Sequence, residues 1–385
     1  MLNLNFWFCI LLLFLSIRLT AQPAETINKN NSVESQKSFK WGINADLLHF
    51  QNKHSAQPTR SNQMGLALNL SFFPHANYLF NSKIQITNDG PEYHEGGTTQ
   101  NGSLQVIYAY LEHHLLTGDL ELFFRLGNQL LPLGLSNTHA ELIYEYSVQP
   151  PDLETYLIPY QWNENGVLFI AHTPNYSLQL GAFNSLDGNK FDTNKPTRNF
   201  LNDGLQNGQN AKSEDIMGVA RIDVSYDGNY VGGSVAYGDT AQDSQLYEKL
   251  TVTIGEVHAQ LKFGGISLRA MWVMAKLAEA YKLIGPSFFD QASGYYATLA
   301  YDPLFSELSP KGVSLPLFIR YSEYDLHEKV PIFGTKDLSL DRQRITIGLN
   351  YRIHDHIVYK FNYQMRKNAL SKESDLSEFS VSFKF

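Results

Sequence analysis

Ser377–Phe385 reads SEFSVSFKF. Phe379, Val381, Phe383 and Phe385 occupy every second position, with Ser380, Ser382 and Lys384 between them. A period of two places the apolar groups on one face of a strand and the polar groups on the other. In water, the apolar face needs a second layer to cover it. In a membrane barrel it meets lipid, while the polar face meets an aqueous lumen. The remaining sequence decides between the two.

The same alternation runs back through the chain. Ile345, Ile347, Leu349, Tyr351 and Ile353 share one face, and Arg344, Thr346, Asn350 and Arg352 the other. Next, Ile357, Tyr359, Phe361, Tyr363 and Met365 oppose Val358, Lys360, Asn362, Gln364 and Arg366. Leu120, Leu122, Phe124 and Leu126 oppose Glu121, Phe123, Arg125 and Gly127, whereas Leu104–Leu115 is ambiguous in register. Sixteen strand-like segments of about ten residues follow from such runs. The first nine are Phe39–Phe50, Met64–Phe72, Tyr78–Thr87, Leu104–Leu115, Leu120–Asn128, Gly166–His172, Tyr176–Ser185, Ile216–Tyr226 and Asn229–Gly238. The other seven are Thr253–Phe263, Ile266–Lys276, Gly294–Asp302, Ser314–Asp325, Gln343–Ile353, Ile357–Arg366 and Leu376–Phe385.

Their connections alternate short and long. Pro74–Asn77, Thr117-Gly118, Thr173–Asn175, Asp227-Gly228, Gly264-Gly265 and His354–His356 are turn-like, Pro303–Val313 is longer than the other short connections, and Asp-Gly between alternating runs is a strong hairpin signal. The intervening connections are long and rich in Asn, Asp, Gly and Ser. A soluble sandwich has no reason to sort loops by parity, whereas an outer-membrane barrel has tight periplasmic turns and long outer loops. The expected fold is all-β: a transmembrane antiparallel barrel of sixteen strands, its last strand pairing with its first so that no edge meets hydrocarbon. A barrel of this size leaves an aqueous channel. Outer-membrane lipid and small solutes or inorganic ions are the partners this implies.

Composition agrees. Among 385 residues, 13% are aromatic and the net charge is −8, so nucleic acid is excluded as a partner by charge. Phe6–Leu15 is an apolar run too short to span a bilayer as a helix but suited to a secretory signal. Residues 1–21 are therefore expected to be a signal peptide, 22–38 a polar, mobile periplasmic segment, and 39–385 the barrel. The one cysteine, Cys9, lies within the signal, leaving no thiol chemistry beyond it.

The longest connection, Gln129–Asn165, is too apolar for a solvated loop. It carries Leu130-Leu131-Pro132-Leu133-Gly134-Leu135, Ile143-Tyr144-Glu145-Tyr146 and Ile158-Pro159-Tyr160-Gln161-Trp162. Folding inward against the wall accounts for this and would constrict a channel; packing against neighbouring loops over the mouth, or a subunit contact, is the alternative. Its constriction candidates are Glu141, Tyr144, Glu145, Tyr146, Asp152, Glu154, Tyr160, Trp162 and Glu164, with no Lys or Arg among them. By alternation, Arg125, Arg221, Lys262, Arg269, Arg320, Arg344, Arg352, Lys360 and Arg366 face the lumen. Such residues can select anions where a channel is narrow, or can serve only to keep that face hydrated and paired. Likewise the loop aromatics can stack on sugar rings or simply anchor the loop.

Phe124-Arg125-Leu126-Gly127 followed by Pro132-Leu133-Gly134-Leu135 resembles the RxGxxxxPxGL stretch of the phosphate-selective porin (O and P) family. Pro159 to Val167, Gly294-Tyr295-Tyr296, Arg320–Asp325 and Gly348–Arg352 are similar to later elements of that family. The resemblance implies a sixteen-stranded homotrimeric porin with an inward-folded third loop and an anion such as phosphate as solute. The acidic third connection departs from the basic vestibule the family name suggests, and an acidic loop facing a basic wall suits polar or zwitterionic solutes, sugars among them. The sequence shows no G-x-S-x-G, H-E-x-x-H or P-loop motif. His354-Asp355-His356 has a spacing compatible with a metal, but it lies in a short turn. The expectation is a passive channel for small hydrophilic solutes, not an enzyme, without cofactor or metal.

Overall fold

The computed structural model describes residues 38–385 except 54–59, 63–64, 88–102, 139–140, 192–199, 247, 284–287, 307–311 and 333. The expected signal peptide and nearly all of the expected periplasmic segment lie outside the described residues. Strands β1 (Ser38–Lys53), β2 (Arg60–Asn62), β3 (Gly65–His75), β4 (Tyr78–Thr87), β5 (Ser103–Leu116) and β6 (Glu121–Leu130) come first. After the long connection come β7 (Asn163–His172), β8 (Tyr176–Asn184), β9 (Ile216–Tyr226), β10 (Asn229–Asp239), β11 (Thr251–Phe263) and β12 (Ile266–Leu277). The rest are β13 (Gln291–Tyr301), β14 (Leu317–Lys329), β15 (Asp341–His354), β16 (Ile357–Asn368) and β17 (Leu376–Lys384).

Each strand from β3 onward pairs antiparallel with the next. β1 closes the ring: Asn44, Ala45 and Asp46 face Lys384, Phe383 and Ser382 on one edge, and Ala67, Leu66 and Gly65 on the other. The three-residue β2 meets β1 farther along the same edge that β3 occupies, so β2 and β3 together make one of sixteen staves. Closure gives β1 a partner on both edges, as hydrocarbon requires, with Ser38–Ile43 extending past the end of β17 and pairing with β3 alone. The barrel is thus the closed sixteen-strand antiparallel cylinder that the alternation predicts.

Alternation sets which groups face lipid. On β13, Tyr295, Leu299 and Tyr301 are exposed while Ala292, Gly294, Tyr296, Thr298 and Ala300 are buried. Leu299, Ile319 and Ile347 lie side by side on three strands, 50%, 49% and 43% exposed. A row of such groups, continued by Leu317, Leu349 and Phe361, belongs in a bilayer and not in water. Among the described residues, no helix is long and apolar enough to cross a membrane.

The β9–β10 turn shows the local chemistry. Asp227 and Gly228 both take positive φ, 49° and 73°. That two-residue geometry matches the twist of the flanking strands, and glycine adopts it without a Cβ clash.

Candidate functional site

The connection between β6 and β7, 131–162, packs against wall residues that alternation turns inward. Leu131, Leu133, Leu135, Leu153, Leu157, Ile158 and Trp162 are at most 1% exposed. They share one apolar cluster with the wall residues Leu168, Ile170, Phe183, Met217, Val219, Ala236, Ile254 and Val273. Phe200, Leu201 and Phe289, from two other long connections, join it. Burying that much apolar surface is what holds an otherwise polar-flanked loop in place.

Gly134 makes the local turn, with φ of 71°, and a Cβ there would stand 2.9 Å from Glu154 Oε2. The turn aims two backbone amides at that carboxylate: Leu135 N and Ser136 N donate to Glu154 Oε2 at 2.7 and 2.5 Å. Glu154 Oε1 accepts from Tyr296 OH at 2.6 Å and from Arg269 Nη2 at 3.4 Å. Arg269 Nη1 donates to Glu145 Oε2 at 3.0 Å, and Nη2 to Ser136 Oγ at 3.1 Å. Each guanidinium or carboxylate buried here is paired, as burial demands.

The same matching extends around the wall. Arg320 donates to Ser147 Oγ at 2.8 Å and to Thr298 Oγ1 at 2.9 Å. Lys360 Nζ donates to the Ser147 carbonyl at 3.4 Å. Arg344 binds Glu373 at 2.8 Å and lies 3.7 Å from Asp152. Lys384 donates to Glu141 at 2.8 Å and to Tyr144 OH at 3.0 Å. Tyr146 OH and Ser267 Oγ are 2.5 Å apart. Arg352 donates to the Ile143 carbonyl at 3.2 Å. Arg221 donates to the Gly134 carbonyl at 2.6 Å and to Asp223 at 2.7 Å, beside a His258 held between Asp223 and Glu256.

Three basic residues stand apart from the loop. Arg125 pairs with Glu112 at 2.7 Å and Arg366 with Glu373 at 3.4 Å, while Lys262 is exposed next to the Gly264 turn. Tyr160 is half-buried. Glu164 is placed differently from expectation. Strand β7 starts earlier than Gly166, so Glu164 belongs to the wall, where it accepts from Gln206 N at 2.9 Å and from Asn207 N and Gly208 N at 3.3 Å. Glu373 lies outside the strands. Burial acts against its charge, yet Arg344, Arg366 and Arg342 together hold its carboxyl below the usual glutamate range. Its tie to Arg344 is thus present at neutral pH and lost as pH falls through that lowered value. Acidification should therefore expose 369–375 to protease nicking before the strands yield; unchanged nicking in acid would remove this tie.

The wall carboxylates Asp46, Asp223, Glu256 and Glu378 are not among the expected lining residues, although the parity rule that picks out the arginines also picks them out; Glu112 lies on β5, whose register is ambiguous from sequence. Glu112, Asp223, Glu256 and Glu378 are buried, and Asp46 accepts from Ser382 Oγ.

No protein-family model matches the chain. A curated relative is an uncharacterized protein of Aquifex aeolicus (strain VF5), 24% identical over 355 residues, which are 88% of this chain and 78% of that protein. Similar solved structures include the loop L8 deletion mutant of OmpT, an outer membrane protein of Vibrio cholerae: TM-score 0.57, 9% identity, 91% of this chain and 99% of that one. Salmonella typhi OmpF, in complex with daunomycin, matches with TM-score 0.56 and 9% identity over 90% and 97%. An anion-selective porin from Comamonas acidovorans matches with TM-score 0.53 and 14% identity over 91% and 100%. The shared architecture and the lipid-facing apolar belt agree. The chain is an outer-membrane β-barrel. At these identities the likeness is one of fold, and the chemistry of this outer-membrane barrel rests on its own residues.

Proposed function

We propose that the barrel is a porin, a passive channel for small hydrophilic solutes rather than an enzyme. The observation that carries this is an unevenly filled interior. From β7 to β13 the inward-facing Leu168, Met217, Val219, Ile254, Val273 and Ala275 are buried under the connection. Along β3 to β6 the inward-facing Asn69, Ser71, Asn81, Gln85, Tyr108 and Arg125 stay half-buried, leaving polar groups accessible inside the ring. That combination supports a narrow passage on one side of the lumen, with 131–162 as its constriction.

The resemblance to phosphate-selective porins brings anions into view, and one fold neighbour is an anion-selective porin. The charges of this chain favour a weaker preference. Arg269, Arg344 and Lys384 are each matched by loop carboxylates, and paired charges leave little net field to select an ion. Homotrimeric assembly is part of the same reading; the Vibrio cholerae OmpT has been solved in a trimer form.

In planar bilayers the full-length processed protein should give ohmic conductance steps. In a tenfold potassium chloride gradient the reversal potential should stay within roughly a quarter of the ~59 mV of a perfectly selective pore. Electrical silence from properly folded protein would end the porin reading, and a potential near the anion limit would restore phosphate-like selectivity.

A further inference from the structure

The accessible side of the interior is built from amides and phenols that form a connected strip. Asn69 Nδ2 donates to Asn44 Oδ1 at 2.7 Å, and Tyr108 OH donates to Asn69 Oδ1 at 3.4 Å. Ser71 Oγ donates to Asn81 Oδ1 at 3.0 Å, and Asn81 Nδ2 to Tyr110 OH at 3.1 Å. The Tyr108 and Tyr110 rings are 5.6 Å apart and tilted by 43°, and Arg125 lies 4.8 Å over Tyr110. From the loop side, Gln161 donates to Gln85 Oε1 at 3.1 Å. Gln161 holds φ of 58°, a left-handed conformation uncommon outside glycine, next to the fully buried Trp162. Such strain is kept where the surroundings impose it, often at a ligand site.

Charge along this strip cancels locally. Arg125 pairs with Glu112, which also meets His114 Nε2 at 2.7 Å, and Lys384 pairs with Glu141; Lys83, level with Asn69 and Tyr108 at the centre of the strip, is buried, with the carboxylates of Glu141 and Asp46 acting on it. An amide has two donor hydrogens and two acceptor lone pairs, so Asn69 and Asn81 retain hydrogen-bonding capacity beyond these internal contacts. A ladder of amides and hydroxyls beside the half-buried Tyr108 ring, with its charges matched, fits one ligand chemistry: an uncharged polyhydroxylated chain, whose hydroxyls exchange with the amides and whose C–H faces lie on Tyr108, backed by the buried Tyr110.

We propose that the β3–β6 face binds oligosaccharides and conducts them along the Asn69–Asn81–Tyr108–Tyr110 strip. This deepens the porin reading and rests on it. The test is ion-current block of the full-length protein in planar bilayers by maltohexaose, with polyethylene glycol of equal hydrodynamic size and inorganic phosphate as comparisons. Maltohexaose should block saturably, polyethylene glycol should not saturate, and phosphate should leave the current unblocked. The half-blocking concentration should rise about tenfold in N81A and in N69A, the scale of one lost hydrogen-bonding group. Y108L, which keeps an apolar group but removes the ring and hydroxyl, should shift it in the same direction. A conducting channel blocked equally by maltohexaose and polyethylene glycol, or unaffected by all three substitutions, overturns the saccharide assignment and leaves the porin reading standing. No conductance at all overturns both.

Discussion

Replacing 141–150 by a short Gly-Ser linker should raise single-channel conductance severalfold and turn the channel toward anions. This excision removes Glu141, Glu145, Tyr146, Ser147 and Val148 together. Arg269 and Lys384 then lose carboxylate partners, Arg320 and Lys360 lose Ser147, and Asn362 loses the Val148 amide it accepts from at 2.8 Å. Cations stripped of part of their compensation in a narrow, partly desolvated passage act over short distances at reduced dielectric, where ion preference is set, even though Arg269 keeps Glu154 and Arg320 keeps Thr298. The expected reversal potential in a tenfold salt gradient moves most of the way to the anion limit of ~59 mV. Charge can be separated from width. Glu141→Gln with Glu145→Gln should shift the potential in the same sense while conductance changes little. If excision leaves both conductance and reversal potential where they were, the segment is not the constriction.

The second large effect concerns Glu154. Its carboxylate takes two loop amides, the Tyr296 hydroxyl and the Arg269 guanidinium, all in buried surroundings. Glu154→Ala leaves Arg269 less compensated and two amides unanswered. Removing one partner of such a buried pair costs about 3–5 kcal/mol. The variant should lose its compact, heat-resistant gel mobility at a clearly lower temperature than the parent, with Glu154→Gln in between. Replacing Arg269, Glu145 and Glu154 together by Met, Leu and Leu should cost less, because the desolvation of the charges disappears with them and only the two amides and the Tyr296 hydroxyl are left unanswered. Equal loss in the single and triple variants would mean that the cluster does not bind as a unit.

Much of the wall is legible in the amino-acid order because the two faces of a barrel strand meet different solvents. Both ends of β4 and of β9 coincide with the segments read from alternation alone. Where legibility failed, a local irregularity intervened. The ambiguous register of Leu104–Leu115 has a cause: the β4–β5 pairing slips between Lys83 and Ile84, which face Tyr108 and Val106 with Ile107 between. One extra residue inverts the face assignment along the strand. That slip hid Tyr108, the half-buried ring of the accessible side, and Tyr110, the buried ring behind it. The early start of β7 was hidden because Asn163 and Glu164 are polar on consecutive positions, and only their pairing with Leu130 and Gln129 marks them as strand.

The site was legible in kind but not in its pairings. A run of acidic residues without a base, opposite a parity-selected set of arginines, announces attraction. Which carboxylate meets which guanidinium depends on contacts such as Arg269 to Glu145, 124 residues apart, and no local pattern encodes that. The resemblance to phosphate-selective porins carries the expectation of an inward third loop, whereas the identity of its partners comes from the three-dimensional arrangement.

The apolar cluster between the connection and the β7–β13 wall has an energetic consequence. Side chains facing the bilayer gain little hydrophobic free energy from one another, since acyl chains are as apolar as they are. The buried leucines and phenylalanines inside the ring instead withdraw from water, as in any soluble globule. This protein therefore combines two kinds of cohesion, and the inner one should bring the large positive heat capacity of unfolding, and the weakening on cooling, of a water-soluble core.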